Sequence, residues 1–331
     1  MEYRFAFKSY RRAFRIPLRT AHGLWSEREG IIVRLESATG AVGFGEIAPI
    51  AWFGTETLAA AGEICRKFGA QITDESLDEV PLEFGCVRFA LAAARAPLVS
   101  AAAGARLPVC ALLSAGRAAL AELPGKLEAG FLAFKWKVGV EAVDDELGVL
   151  DDLCGLLPDY AKLRLDANGA WNRRQAEKWL ARCADRPVEF VEQPAAPGER
   201  DLLLGLAQDY PVKLALDEAV TGLAAAREWQ ALGWPGVFVV KPALAGPLAE
   251  LAQWARETRA DLVLSSAMET AVGRAAILRF ALGGELTRRA VGFGVGEVFG
   301  DRLWDGPMTG PLVDFQWCEA ANPEAIWNAL N

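Results

Sequence analysis

Short apolar runs alternate with amphipathic stretches along the chain from about residue 108 onward. Eight of these runs have the length and composition of strands: LPVCALLSAG, FLAFKWKV, AKLRLDANG, VEFVEQP, PVKLALDEAV, PGVFVVKPAL, DLVLSSAME and AVGFGVG. The stretches between them, such as RRQAEKWLARCAD, place their apolar residues at helical spacing. Strands that alternate with helices in this way predict an α/β fold, a (β/α)₈-type barrel of parallel strands.

The polar residues that close the middle runs recur at a nearly constant interval. Successive intervals are 26, 25, 24 and 24 residues in the series Asp166, Glu192, Asp217, Lys241 and Ser265. Each interval is the length of one strand and its crossover helix, and no further sequence similarity connects the units. The spacing therefore places all five residues at equivalent positions, at the carboxyl ends of successive barrel strands.

The first third of the chain follows a different pattern. EYRFAFKSYRRAFRI and GIIVRLESATGAVGFGEI alternate as strands do, and residues 55–104 are rich in Ala and Leu at helical spacing. We expect three parts: an N-terminal α+β capping domain over 1–104, the catalytic barrel over 105–300, and a C-terminal segment, 301–331, that packs back on the cap.

Composition limits the classes of partner. The 331 residues carry a net charge of −8 with no long basic run, which argues against nucleic acid or an anionic membrane as partner. Six cysteines without a CxxC pair are typical of reduced thiols in a cytoplasmic protein. The single histidine, His22, excludes His-rich metal sites and Ser-His-Asp triads. The sequence does not determine the oligomeric state.

The segment AFKWKVGV, residues 133–140, places two lysines on one face of a predicted interior strand. Lys135 and Lys137 alternate with Phe134 and Trp136, so the two ammonium groups point to one side and the aromatic rings to the other. An isolated KxK pair usually lies on a solvated strand face. Buried charges, however, need a partner or a metal, and the neighbouring strands supply carboxylates.

Asp166, Glu192 and Asp217 close three successive strands and should meet at one mouth of the barrel. Three carboxylates in one place repel one another, and a divalent cation with a preference for oxygen, such as Mg²⁺, relieves that repulsion. Burial, a neighbouring ammonium and a metal ion all disfavour the charged form of a lysine. This arrangement predicts that Lys137 acts as a base and that Lys135 helps to make it one.

Together, FKWKVG, LRLDANGAW, FVEQP, LALDEAV, VVKPAL and LSSAMETAVG resemble the muconate-lactonizing subgroup of the enolase superfamily, and within it the o-succinylbenzoate synthase family of menaquinone biosynthesis. The resemblance covers the barrel well and the N-terminal part loosely. It implies the modified TIM barrel and capping domain of that superfamily, and a Mg²⁺-dependent enzyme that acts on a small-molecule carboxylate.

The resemblance also implies roles for individual residues. Lys137 would remove the proton α to the substrate carboxylate, Lys135 would tune it and help to hold that carboxylate, and Lys241 would face the other side of the substrate. Asp166, Glu192 and Asp217 would ligate Mg²⁺ and so stabilise the ene-diolate. The predicted substrate-binding residues are Ser265, Gly292, Asn168 and Arg164, of which Arg164 is also expected to pair with a carboxylate inside the barrel.

The implied reaction is the syn-dehydration of 2-succinyl-6-hydroxy-2,4-cyclohexadiene-1-carboxylate to 2-succinylbenzoate, which makes the protein a carbon–oxygen lyase. Racemisation of N-succinylamino acids stays open, because the same two lysines would perform it. Dipeptide epimerases are disfavoured, since GFGVGEVFG lacks the Asp-x-Asp typical of them. Two alternatives of other classes are a Schiff-base aldolase that uses Lys241, for which the carboxylates have no role, and a barrel kept as a binding protein.

The loops LRTAHGLWSEREG and IAWFGTETL are predicted to fold over the mouth and exclude water. His22, Trp25, Trp52 and Phe53 within them are candidates for shaping the substrate pocket. Glu218 follows Asp217 directly, so continued strand alternation predicts that it points away from Asp217, and it is a candidate to support the metal ligands from behind.

Overall fold

The N-terminal part of the chain is an antiparallel sheet covered by helices. The computed structural model describes residues 1–20, 23–95, 104–284, 286 and 289–330. The sheet has the order β3-β2-β1-β4, with β1 (Glu2–Thr20), β2 (Gly23–Ser37), β3 (Val42–Ile47) and β4 (Gln71–Thr73). A 3-10 turn at Ala51–Phe53 and three helices complete it: α1 (Leu58–Phe68), α2 (Asp74–Asp78) and α3 (Gly85–Arg95).

Helix α3 packs directly on β3 because two glycines of the strand carry no side chain there. A Cβ at Gly43 would lie 1.9 Å from the carbonyl oxygen of Ala94, and one at Gly45 would lie 1.9 Å from that of Ala90. Any larger residue would push the helix off the sheet. We call this sheet with its helices the cap.

The second part is a curled parallel sheet of eight strands, as predicted from the eight apolar runs. Its strands are β5 (Arg106–Leu113), β6 (Ala133–Lys137), β7 (Lys162–Asp166), β8 (Val188–Glu192), β9 (Leu214–Leu216), β10 (Val237–Val240), β11 (Asp261–Leu264) and β12 (Val291–Gly294). The order runs from β11 back to β5 and then to β12. A parallel bridge between Ser265 and Gly292 joins the two ends, so the ring closes and the barrel fold is confirmed.

Helices cover the outside of the barrel. They are α4 (Ala118–Glu128), α5 (Val143–Leu156), α6 (Arg173–Cys183), α7 (Arg200–Asp209), α8 (Leu223–Ala231), α9 (Pro242–Ala245), α10 (Leu248–Thr258) and α11 (Ala271–Gly283). Their starts follow sequence signals, as α6 shows: Asn172 and Gln175 form a reciprocal capping box at its first turn. None of the helices in the described part is long and apolar enough to cross a membrane.

Strand register aligns the polar strand ends. Lys137 is the Cα partner of Asp166 across β6 and β7, and Asp166 is the partner of Glu192 across β7 and β8. Lys135 and Arg164 are partners one layer deeper. Because alternate residues share a face, these side chains point into the barrel in two layers, and the outer layer forms its mouth.

The C-terminal segment contacts both parts of the molecule. It contains β13 (Leu312–Asp314) and three short helices, α12 (Arg302–Asp305), α13 (Phe315–Ala320) and α14 (Pro323–Ala329). Strand β13 pairs antiparallel with β5 of the barrel. On the cap side, Lys8 Nζ donates to the carbonyl oxygens of Trp327 (3.1 Å) and Leu330 (2.6 Å). The domain boundaries after residues 104 and 300 stay a prediction.

Candidate active site

A cavity of about 770 Å³ opens at the carboxyl ends of the barrel strands, beneath the cap. All ten residues that the sequence predicts for the site line it: Lys135, Lys137, Arg164, Asp166, Asn168, Glu192, Asp217, Lys241, Ser265 and Gly292. Their convergence follows from the strand spacing, because each residue lies on a barrel strand or within two residues of its carboxyl end. What each one does in the reaction stays a prediction.

The three acids form the buried centre of this cavity. Asp166, Glu192 and Asp217 expose 7%, 1% and 5% of their surfaces. Burial and the charges of Asp166 and Asp217 hold the pKa of Glu192 well above its ordinary value, although Lys135 opposes the shift. The trio therefore concentrates more negative charge than the protein stabilises easily, as expected of a site that receives a cation.

Two ammonium groups lie against these acids. Lys135 Nζ is 2.7 Å from Asp166 Oδ2 and 2.6 Å from Glu192 Oε1. Lys241 Nζ contacts Asp217 Oδ1 and lies 4.2 Å from the centre of the Phe53 ring. Burial alone would lower the pKa of Lys135, but the charges of the three acids outweigh it and raise that pKa well above its ordinary value. Lys135 is thus a fixed cation.

The donor set fits Mg²⁺. Three buried carboxylates on adjacent strands are the oxygen ligands that this ion prefers. No group of three acidic, histidine or cysteine side chains in the described residues has the arrangement of a metal site. Lys135 and Lys241 contact the carboxylate oxygens of this trio instead. Asn168 Oδ1 and Glu218 Oε2 are buried without a hydrogen-bond partner among the described residues. Such oxygens are expected beside a hydrated cation.

Asn168 and Glu218 extend the acidic cluster. Asn168 has a left-handed backbone (φ 45°); its N–H donates to Asp166 Oδ1 (3.2 Å) and its Nδ2 to Glu218 Oε1 (2.9 Å). The expectation that Glu218 points away is wrong: β9 ends at Leu216, so strand alternation stops before Asp217 and both acids face the cavity. Burial and the charge of Asp217 raise the pKa of Glu218 to about 7.

Gln193 is a supporting residue that the sequence did not single out. It is completely buried with a left-handed backbone (φ 40°), and its Oε1 accepts the N–H groups of Asp217 and Ala219, each at 3.1 Å. Its Nε2 donates to the carbonyl of Ala195 at 2.9 Å. Gln193 therefore fixes the backbone of Asp217 from the neighbouring strand end. Its place directly after Glu192 in FVEQP was the one available signal.

Arg164 lies deeper, at the floor of the cavity. Its Nε donates to Glu189 Oε2 (2.6 Å) and its Nη1 to the carbonyl of Ala290 (2.8 Å), so it pairs with a carboxylate inside the barrel as expected. Ser265 and Gly292 lie side by side across the bridge that closes the ring. A Cβ at Gly292 would be 2.9 Å from Ser265 Oγ, so a larger residue there would require that hydroxyl to move.

The cap supplies an aromatic wall to the cavity. Trp25, Trp52 and Phe53 all line it, and the Trp25 and Trp52 rings meet edge to face with centroids 5.6 Å apart. The prediction of a loop over 18–30 is wrong, because its described residues belong to the paired strands β1 and β2. That these segments exclude water stays a prediction. His22, the fourth candidate, lies outside the described residues.

Comparison with known families agrees with this architecture. Residues 118–296 match the model described as enolase C-terminal domain-like, and residues 11–98 match that of the MenC N-terminal domain. The closed barrel, the cap and the paired lysines and acids define an enzyme of the enolase superfamily.

Relatives specify the group within it. An o-succinylbenzoate synthase of Thermosynechococcus vestitus is 38% identical over 99% of both chains, and one of Yersinia enterocolitica is 33% identical over 78% of this chain and 80% of that one. The chain belongs to the o-succinylbenzoate synthase family. A crystal structure of an o-succinylbenzoate synthase from Thermosynechococcus elongatus, with Mg in its active site, superposes on this chain with a TM-score of 0.86. The two sequences are 37% identical, and the match covers 99% of this chain and 100% of that one. The L-Ala-D/L-Glu epimerase of Bacillus subtilis shares the fold at 18% identity and a TM-score of 0.78, covering 93% and 94%.

Proposed function

We propose that this protein is a Mg²⁺-dependent carbon–oxygen lyase that dehydrates 2-succinyl-6-hydroxy-2,4-cyclohexadiene-1-carboxylate to 2-succinylbenzoate in menaquinone biosynthesis. The observation that carries the proposal is the meeting, in one cavity, of three buried acids with Lys135, Lys137 and Lys241. Family membership over the full chain supports the same reaction. A cytoplasmic location stays a prediction, and so does the expectation that neither nucleic acid nor a membrane is a partner.

Lys137 performs both proton transfers in this proposal. As a neutral amine it takes the proton from the carbon α to the substrate carboxylate, and the electron pair of that C–H bond passes into the carboxylate. The ene-diolate then returns the pair to form the ring double bond as the C–O bond breaks. The ammonium of Lys137 gives its proton to the departing hydroxyl, so water leaves from the same face.

The acids and Lys135 prepare the site for this step. Asp166, Glu192 and Asp217 would hold Mg²⁺, which when bound supplies positive charge to the substrate carboxylate. Lys135, kept cationic by those acids, binds the same carboxylate and so helps to hold it beside Lys137.

Lys241 faces the substrate from the far side of the ring. Its contacts with Asp217 and the Phe53 ring keep it within the cavity. In a dehydration that uses one face, it stabilises negative charge and moves no proton. Racemisation of N-succinylamino acids is the second candidate, because a lysine on each side of an α carbon is what that reaction needs.

The test is a paired assay of the purified protein with Mg²⁺. We expect conversion of the cyclohexadiene carboxylate to the aromatic acid, together with its loss on addition of EDTA. A parallel reaction in ²H₂O with N-succinylamino acids measures α-proton exchange, and exchange without dehydration would favour the racemase. Trapping of Lys241 by borohydride with a carbonyl substrate, and activity that EDTA leaves unchanged, would instead identify a Schiff-base enzyme.

A further inference from the structure

Arg28 of β2 is an almost completely buried arginine, with 2% of its surface exposed. Its Nη1 donates to the carbonyl oxygen of Pro49 (2.7 Å) and its Nη2 to that of Ala48, both in the cap. Its Nε donates to the carbonyl oxygen of Met268 (3.2 Å), in the barrel. A buried guanidinium requires acceptors, and these come from two segments far apart in sequence. Arg28 therefore ties the chain after β3 to the loop after β11.

Glu46 of β3 makes a second connection between the cap and the barrel, beside the first. Its carboxylate is fully buried and accepts the N–H (2.9 Å) and the Oγ1 (2.6 Å) of Thr270, as well as the N–H of Gly273 (2.9 Å). Tyr10 of β1 donates its hydroxyl to the same carboxylate (2.6 Å). A cap carboxylate thus stabilises the first turn of barrel helix α11, where N–H groups lack partners within the helix.

Both connected segments form walls of the cavity. The cap segment, residues 48–53, contributes Ile50 and Phe53, and the Phe53 ring lies over Lys241. The barrel loop, residues 266–270, contributes Met268, which has a left-handed backbone (φ 59°). The proton-transfer residues and the acids, in contrast, lie on strand ends that the parallel ladders hold without help from Arg28.

We propose that Arg28, with Glu46, forms a clamp that positions the cap segment 48–53 against the barrel loop 266–270, and that Arg28 is thereby a positioning residue that sets substrate affinity. The kinetic part of this inference rests on the proposed dehydration. Loss of the guanidinium leaves three buried carbonyl oxygens without donors, so both segments should loosen while the strand ends keep their places.

The experiment compares Arg28→Met with Arg34→Met. Arg34 lies on the same strand, and its Nη1 donates to Glu36 of that strand (2.9 Å) rather than to the barrel. Arg34→Met therefore controls for the removal of an arginine from β2. We expect Arg28→Met to raise KM about tenfold and to change kcat less than about threefold, a split that marks lost substrate binding rather than lost chemistry. Amide hydrogen exchange should rise in 48–53 and 266–270 and stay unchanged in β7 and β8.

Arg28→Lys is the conservative variant, because an ammonium keeps the charge but reaches fewer of the three carbonyls. It should show the same two changes at smaller size, and it serves as the test if Arg28→Met does not fold. If the Arg28 variant that folds has the KM and the amide exchange rates of Arg34→Met, the proposed clamp is refuted. A fall in kcat alone, or faster exchange throughout the barrel, would also refute it. A wild-type protein without dehydratase activity would refute the proposed function. Amide hydrogen exchange would still test the clamp, because that measurement needs no substrate.

Discussion

The barrel rim and the cap wall face one cavity with opposite chemistry. The rim, formed by Lys135, Lys137, Asp166, Glu192, Asp217 and Lys241, is ionic and lies at strand ends fixed by parallel ladders. The wall, formed by Trp25, Trp52 and Phe53, is aromatic and lies on β2 and a 3-10 turn outside any ladder of the barrel. From this difference we propose a division of labour, in which the rim determines the rate of the chemical step and the wall determines how well the substrate fits.

The strongest way to break this division is Lys137→Ala. Because no other amine occupies the same strand position, we expect kcat to fall by about 10⁴-fold or more, near the upper limit for loss of a general base. Circular dichroism and calorimetric Mg²⁺ binding should stay unchanged. Lys162→Ala removes an exposed lysine at the opposite end of the barrel and should keep full activity. Substantial turnover by Lys137→Ala would refute its role.

Lys241→Ala separates the two reactions that the rim permits. We expect dehydration to fall by about 10²-fold, the loss expected for one charge-stabilising group. Racemisation or α-proton exchange that needs both faces should disappear. Rates of dehydration and of ²H incorporation, measured on the same preparation, check this. Equal loss of both reactions to the level of Lys137→Ala would mean that Lys241 also moves a proton in the dehydration.

Glu192→Gln tests the metal side of the rim. Removing one of three carboxylates should raise the Kd for Mg²⁺ by about 10²-fold, at least the effect of losing an outer-shell partner. Titration calorimetry measures this without substrate. Glu228→Gln, at an exposed glutamate of α8, is the control. Unchanged Mg²⁺ affinity in Glu192→Gln would exclude that residue from the ligand set.

Phe53→Leu tests the wall. Loss of the ring over Lys241 should raise KM by about 3- to 10-fold and leave kcat nearly unchanged, given the usual strength of a cation–π contact. Phe131→Leu is the matched control, because Phe131 lies two residues before β6, at the end of the barrel away from the cavity. A fall in kcat larger than the rise in KM would show that the wall takes part in the chemistry and would break the comparison.

The smallest expected effect concerns pH and the cap. Burial holds the pKa of Glu56 above its ordinary value of 4.5, although the N–H of Val87 (3.0 Å) opposes the shift. The folded state therefore keeps this proton longer than the unfolded state. Its stabilising contribution is complete below pH 4.5 and is lost as the pH rises through the folded pKa.

Denaturation of the wild type and of Glu56→Gln across pH 4 to 8 measures this contribution. The free energy of unfolding of the wild type should fall with rising pH relative to the variant. Glu63→Gln, at an exposed residue of α1, should follow the wild type. Parallel curves for the wild type and Glu56→Gln would contradict the prediction.

The sequence predicted the barrel and the rim because both depend on local periodicity. Each rim residue closes or adjoins an apolar run, and the spacing of about 25 residues places the runs side by side. Glu218 was placed wrongly because β9 ends at Leu216, two residues before Glu218, whereas the prediction continued the alternation to that residue. The position of a strand end depends on its neighbours, which a single run does not reveal.

Gln193, Arg28 and Glu46 illustrate the other limit. Gln193 binds the N–H of Asp217, 24 residues away, and Arg28 binds the carbonyl of Met268, 240 residues away. Glu46 binds the N–H of Thr270, 224 residues away, and none of these backbone atoms has a sequence signature. From the sequence, Arg28 is indistinguishable from a solvent-exposed charged residue in a strand of alternating polar and apolar positions. Only the packed structure shows that its guanidinium is buried and that it connects the cap to the barrel.

The most direct test of the central claim is a crystal structure of the protein grown with Mg²⁺. We predict that oxygens of Asp166, Glu192 and Asp217 lie about 2.1 Å from a single ion. Lys135 and Lys241 should withdraw from the carboxylate oxygens that they contact here and lie on opposite sides of the position proposed for the substrate carboxylate. An ion bound elsewhere, or held by only one of these acids while both lysines keep their ion pairs, would contradict the account.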